Sequence, residues 1–381
     1  MARPLTIGLR YTHKDAWTGG VYYVRNLVSA FSLLPEAKRP RLIVVGGDKP
    51  ALEELKAATG YPKLERFSRA RIHTEPATGF RWPFAKDRDE EIDLLLMGSP
   101  PGLEFRGVQW VPDFQEHRFP EHFPPDELAA RLERNDRWFS TQRHVMVSSQ
   151  DVASDLRRHY GQHGNQVHVV RFASFLPAEV GESTEARVRY GLPERYFLCA
   201  NQFWRHKNHA VVLRALTEAG PGVPPVAFTG REEDYRDPDY APRVRRLAAE
   251  LGVEDRARFL GFIPREDQLA LMAGSIAVIQ PSLCEGWSTT VEDAKALGRH
   301  VLASDIAVHR EQLDRNADVF AGDDPAALAA LLRRYAETDP VVTPLDYRAA
   351  RRGFAEDLLR LAEEVAADFR RRRVDRLVVE R

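Results

Sequence analysis

The chain has 381 residues, a formal net charge of −1, 43% hydrophobic and 29% charged residues. That length exceeds one ordinary core and suits two α/β domains, the composition excludes wholesale disorder, and the near-zero charge excludes a broad basic field for nucleic acid. Two isolated cysteines, Cys199 and Cys284, argue against a disulfide framework or a zinc site, and neither a leader-like apolar start nor an apolar run of about 18 residues is present, so a cytoplasmic protein is expected.

Short β-rich runs alternate with amphipathic segments, the pattern of parallel sheets buried under crossover helices. In the first half the spacing predicts strands at 6–11, 41–45, 92–97, 108–111, 144–148 and 167–170. In the second half it predicts them at 196–200, 226–229, 258–260, 277–280, 301–303 and 319–320. The stretch 176–193 holds Pro177, Gly181, Ser183, Gly191 and Pro193 with little periodicity, so it is expected to link a Rossmann-like domain at 1–175 to a second at 194–345. The architecture is then α/β, two doubly wound domains facing across a cleft. Ser149 is placed to cap a helix, and Asp324-Pro325 to start another.

The tail 346–381 reads as one long helix, packing back on the N-terminal domain. Its Arg370-Arg371-Arg372-Arg373 cluster is either a solvated end or a contact for acidic lipid at the inner membrane face.

Three motifs carry chemistry. Gly19 and Gly20, within Trp17-Thr18-Gly19-Gly20-Val21-Tyr22, sit between a strand and a helix, either as a tight turn or as a place where phosphate approaches backbone N–H groups. No G-x-G-x-x-G follows the first strand, which lowers the case for a nicotinamide enzyme. The second motif, Asn201 to His209, brings Arg205 and Lys207 to a strand end. Such a loop is either solvated or positioned to stabilise a departing diphosphate. In the third, Gln280 to Gly298, Glu285-Gly286 lies on a loop before a helix that begins near Thr289 and carries Glu292 and Asp293. Helix-dipole complementarity explains one of those two acids but not Glu285.

The run Pro281-Ser282-Leu283-Cys284-Glu285-Gly286 through Asp293-Ala294-Lys295-Ala296-Leu297-Gly298, then Val301-Leu302-Ala303-Ser304-Asp305, resembles the donor-binding segment of the retaining GT-B glycosyltransferases of family 4 (group 1 glycosyltransferases). With the Gly-Gly turn and Lys207-Asn208, the resemblance spans most of the chain. It implies an acceptor-side first domain and a donor-side second one. Glu285 would hold hydroxyls of the transferred sugar, and the backbone N–H groups of Gly286, Trp287 and Ser288, with Thr289 beside them, would face sugar or phosphate. Lys207 and Arg205 would neutralise the diphosphate, Phe262 and Ile263 would border the base, and Gly19 and Gly20 would complete the site.

Three departures from the pattern stand out. Asp293 occupies the ribose-binding place of a glutamate, with Glu292 beside it. Gln202 stands where arginine is common, leaving Arg205 as its substitute. In Trp110-Val111-Pro112-Asp113-Phe114, Pro112 replaces a histidine while Asp113 is kept as a catalytic candidate or a strand-end turn residue, and His117 lies close by. His309 and Glu311 read as structural.

The resemblance implies retaining transfer of a sugar from a nucleotide-diphosphate donor to an acceptor hydroxyl, in glycan, polysaccharide or glycoconjugate biosynthesis. Asp87-Arg88-Asp89 and Asp237-Pro238-Asp239 read as surface, so no metal is expected. The alternatives are a sugar-nucleotide epimerase or phosphorylase on the same plan, or a catalytically silent sugar-nucleotide-binding subunit.

Overall fold

A computed structural model describes residues 3–11, 18–45, 49–67, 69–73, 89–98, 106–177, 179–372 and 376–380. Two compact units emerge: 1–112 with 131–175 and 348–381, and 113–130 with 176–347.

The first unit contains β1 (Thr6–Arg10), α1 (Thr18–Phe31), β2 (Arg41–Val45), α2 (Lys49–Thr59), β3 (Leu64–Phe67), β4 (Arg69–His73), β5 (Asp89–Ile92), β6 (Leu94–Leu96) and β7 (Gly107–Trp110). After α3 (Gln115–Arg118) and α4 (Pro125–Thr141) come β8 (His144–Val147), α5 (Gln150–Tyr160) and β9 (Gln166–Val169). Seven strands form one sheet in the order β3-β2-β1-β6-β7-β8-β9, and every pair is parallel. Apolar runs such as Leu42-Ile43-Val44-Val45 make this possible, because helices cover both faces of a parallel strand. The Ser149 hydroxyl accepts from the Val152 N–H at 3.1 Å and caps α5.

The second unit contains α6 (Ser183–Arg189), β10 (Phe197–Ala200), α7 (His209–Ala219), β11 (Val226–Thr229), α8 (Tyr240–Glu250), β12 (Ala257–Gly261), α9 (Arg265–Gly274) and β13 (Val278–Gln280). It continues through α10 (Thr289–Ala296), β14 (Val301–Ser304), α11 (Ala307–Gln312), β15 (Ala317–Phe320) and α12 (Pro325–Glu337). Its six parallel strands run β12-β11-β10-β13-β14-β15. Successive β10 side chains alternate between two cores: Phe197 and Cys199 pack with Val212, Leu216 and Leu328, whereas Leu198 and Ala200 pack with Leu271, Val291 and Ala294. The Asp324 carboxylate accepts from the Ala327 N–H at 3.1 Å and caps α12, whose first residue is Pro325.

Three features differ from the sequence reading. The tail is α13 (Tyr347–Arg371) followed by β16 (Arg376–Glu380), which pairs antiparallel with β4 and β5. Val378 and Val379 are β-branched and suit a strand better than a helix end. The linker stretch holds α6, whose Ala186 joins the second core while Arg189 and Tyr190 bond Asp267 at 2.5 and 2.7 Å. Finally, residues 113–130 group with the second unit: Arg236 lies over Phe123 and Trp204 at 5.3 and 4.9 Å, and the Tyr235 hydroxyl donates to Glu127 at 2.7 Å.

Helix α13 buries Phe354, Leu358, Leu361, Val365 and Phe369 on one stripe, and its Asp368 accepts from Arg143 at 3.0 Å and lies 3.1 Å from His144 Nε2. Arg371 and Arg372 pair with the same Asp368 at 3.6 and 3.2 Å, Arg370 donates to the Ala366 carbonyl, and Arg373 falls outside the described residues. Among the described residues no helix is long and apolar enough to cross a membrane.

Candidate functional site

In the second sheet the strand order reverses between β10 and β13, and the chain leaving their carboxyl ends makes the crevice where open α/β sheets take ligands. The two exits are braced together. Asn201, just past β10, donates its amide to Gln280 Oε1 at 3.1 Å, and Gln280 Nε2 donates to Ser282 Oγ at 3.0 Å and Glu285 Oε1 at 2.7 Å. Thr290 on α10 donates to the Ala200 carbonyl at 2.8 Å. Asn208 takes a left-handed conformation and donates to the Pro281 and Gly322 carbonyls at 3.3 and 2.8 Å, fixing the loop that carries Lys207. A methyl group at Gly230 would fall 2.0 Å from the Asn201 carbonyl oxygen, so the chain after β11 must be glycine there.

Lys207 Nζ meets Glu285 Oε1 at 2.5 Å, and the Glu285 residue is 8% exposed. Burial alone raises that carboxyl, but the Lys207 ammonium outweighs it and, with a hydrogen bond from Ser282, leaves Glu285 below the ordinary carboxylate range. Asp113 lies within electrostatic reach of both. Loss of water raises its carboxyl, hydrogen bonds from Gln115 at 3.0 and 3.2 Å oppose that, and the Glu285 charge adds to the rise.

The adjacent acids of α10 have different surroundings. Glu292 accepts from Lys295 Nζ at 2.9 Å, Gln312 Nε2 at 3.1 Å and the Tyr347 hydroxyl at 2.5 Å. Asp293 sits three residues after Thr290, on the helix face turned to β10, and pairs with Arg265 at 2.7 Å.

Other nominated residues divide. Gln202 is half-buried, and its Nε2 has no hydrogen-bond partner. Gly286 is buried, and Trp287 and Thr289 are half-buried. The Ser288 N–H, expected to face a ligand, instead donates to Gln312 Oε1 of α11 at 3.0 Å, while its hydroxyl caps α10; a buried N–H takes the acceptor the fold offers it. Arg205 is exposed and directed at the Glu121 carbonyl, 3.5 Å away, so it does not join Lys207 at Glu285. Gly261 has a φ of +69°, Phe262 is 57% exposed and Ile263 is buried, the shape of a turn that anchors one side chain and presents the next.

In the first unit, Gly19 and Gly20 lie inside the first turn of α1 rather than ahead of it, and Trp17 falls outside the described residues. His117 is in α3 against Phe114. His309 is buried, with Nδ1 2.8 Å from the Ser304 carbonyl. Asp237 pairs with Arg243, and Asp87 and Arg88 lie outside the described residues. Asn201 and Gln280 are the parts sequence reasoning missed; an amide at or just past the end of an apolar strand is their signal.

Two Rossmann-like units on one chain, with a cation and carboxylates gathered at the strand ends of the second, define the GT-B fold. Solved structures share it: HepE from Anabaena, in complex with UDP and glucose, superposes with a TM-score of 0.60 at 15% identity, covering 97% of this chain and 98% of that one. WaaG, described as a glycosyltransferase involved in lipopolysaccharide biosynthesis, gives 0.56 at 15% identity, covering 94% and 95%. Residues 183–352 match the family described as "Glycosyl transferases group 1". A D-inositol 3-phosphate glycosyltransferase of Streptomyces avermitilis is 28% identical over 59% of this chain and 51% of its own length. The O-antigen chain mannosyltransferase RfbU of Salmonella typhimurium is 22% identical over 56% of each. The chain thus spans about half the length of the curated relatives it matches.

Proposed function

We propose that this chain is a retaining, metal-independent glycosyltransferase that moves a sugar from a nucleoside diphosphate to an acceptor hydroxyl in glycan or glycoconjugate synthesis. The observation that carries the reading is the buried Lys207–Glu285 pair, cross-braced through Gln280 and Asn201 where the strand order reverses. Lys207 supplies positive charge to the leaving diphosphate while Glu285 holds sugar hydroxyls, so one ion pair addresses both sides of the bond to be broken. The unpartnered Gln202 amide adds a donor near the same oxygens, taking the part that Arg205 is turned away from.

Asp293 takes the ribose, because Glu292 is already enclosed by Lys295, Gln312 and Tyr347. Asp113 faces the sugar side, and its raised pKa suits a group that exchanges hydrogen bonds with hydroxyls. In the reaction the anomeric C–O bond to the diphosphate breaks, the acceptor oxygen bonds the same carbon on the same face, and the acceptor proton passes to the departing phosphate oxygen. The HepE structure with UDP and glucose supports a nucleotide-sugar donor, and the names of the curated relatives support a biosynthetic acceptor.

The test is product analysis with a panel of nucleotide sugars and candidate glycan acceptors. The account expects free nucleoside diphosphate and a glycoside that keeps the donor's anomeric configuration. An inverted product contradicts the mechanism, and an epimerised donor without transfer contradicts the reaction class.

A further inference from the structure

Arg231 and Phe262 occupy the loops after β11 and β12, on one side of the Lys207–Glu285 pair. Adjacent strands lie about 4.8 Å apart, so β12 stands roughly 10 Å from β10, about the distance from a nucleotide's diphosphate to its base. Both loops are fixed: the Arg231 carbonyl accepts from the Phe203 N–H at 2.9 Å, and the Gly230 N–H donates to the Gly261 carbonyl at 3.0 Å. Phe262 is 57% exposed, and the Arg231 guanidinium lies 4.5 Å above its ring. The buried Arg231 Nε has no hydrogen-bond partner, so the stack orients a donor whose hydrogen-bonding capacity the fold leaves unused.

We infer that Arg231, held over Phe262, reads the exocyclic carbonyl of the donor's base and selects an oxo base over its amino counterpart. The inference rests on the donor-site reading above. Guanidinium offers N–H donors and no acceptor, so it bonds O6 and N7 of guanine or O4 of uracil, whereas the amine of adenine or cytosine sets donor against donor. Arg265, the other arginine beside this turn, is paired with Asp293.

Calorimetric titration of the full chain with UDP, CDP, GDP and ADP tests this. For whichever ring size binds, the oxo nucleotide should bind about tenfold or more tightly than the amino one. Arg231→Ala should bring the two within about threefold, and Arg231→Lys, which keeps the charge but loses the planar fork, should do the same and serves if the alanine variant misfolds. Lys207→Ala should weaken every diphosphate while preserving the ratio. Undiminished discrimination in both Arg231 variants, or equal binding of oxo and amino forms by the native chain, overturns the inference and leaves the donor reading standing. No binding of any of the four overturns both.

Discussion

The two parallel sheets share a strand order through their centres, yet their carboxyl ends differ in chemistry. Beside β1 and β6 the described groups join aromatic packing to a half-buried ion pair drawn from the helices: the Tyr11 hydroxyl donates to Glu54 of α2 at 2.6 Å, Glu54 pairs with Arg25 of α1, and Tyr23 stacks on Trp110 at 4.1 Å. Beside β10 and β13 the same reversal holds Lys207, Glu285 and Asp293, and the family match at 183–352 lies within this unit apart from a few residues of α13. Topology creates a crevice in both sheets; amides and charges bonded to one another at the strand ends distinguish the second.

Breaking the charged end should show the difference most strongly. Lys207→Ala should abolish transfer and cost about 3–5 kcal/mol of stability, since Glu285 is left charged and buried, and adding Glu285→Gln should recover part of the stability but none of the transfer. Chemical denaturation alongside the transfer assay reads both. A sharper cut separates neighbours on α10: Asp293→Ala should raise the donor Kd about tenfold, whereas Glu292→Gln should lower Tm with little change in Kd. Calorimetry and melting curves distinguish them.

A third effect lies behind the site. Burial among Phe203, Phe228 and Tyr240 holds His209 down to about 3, so it stays neutral in the fold while the unfolded chain protonates near 6.5. The folded pKa is depressed, so stability falls as pH drops below about 6.5, at most by about 1.4 kcal/mol per pH unit from this group. His209→Phe should flatten the stability profile between pH 6.5 and 4, measured by denaturation at each pH. The smallest effect belongs to the first unit: Ser149→Ala removes the α5 cap and should cost about 1 kcal/mol with no change in donor affinity.

Much of this was legible in the sequence because buried parallel strands read as short apolar runs, as at Leu42 to Val45 and Val226 to Thr229. Strand β3 has no legible apolar run, since Glu65 and Arg66 interrupt its pattern at a sheet edge, and β16 depends on partners remote in sequence. Lys207, Glu285 and Asp293 stood out by motif, but the Asn201–Gln280 brace depends on β10 and β13 being neighbours, which no local pattern encodes. Likewise the choice between Glu292 and Asp293 follows from which side of α10 meets Gln312, and the Ser288 N–H from the same glutamine.

The most direct test of the central claim is paired calorimetry and turnover on native protein, Lys207→Ala and Glu285→Gln with the nucleotide sugar that the native chain uses. The account predicts that Lys207→Ala loses at least tenfold in affinity for the free nucleoside diphosphate, while Glu285→Gln still binds it but transfers sugar at least a hundredfold more slowly. Native-like binding and turnover in both variants would contradict the assignment of the site.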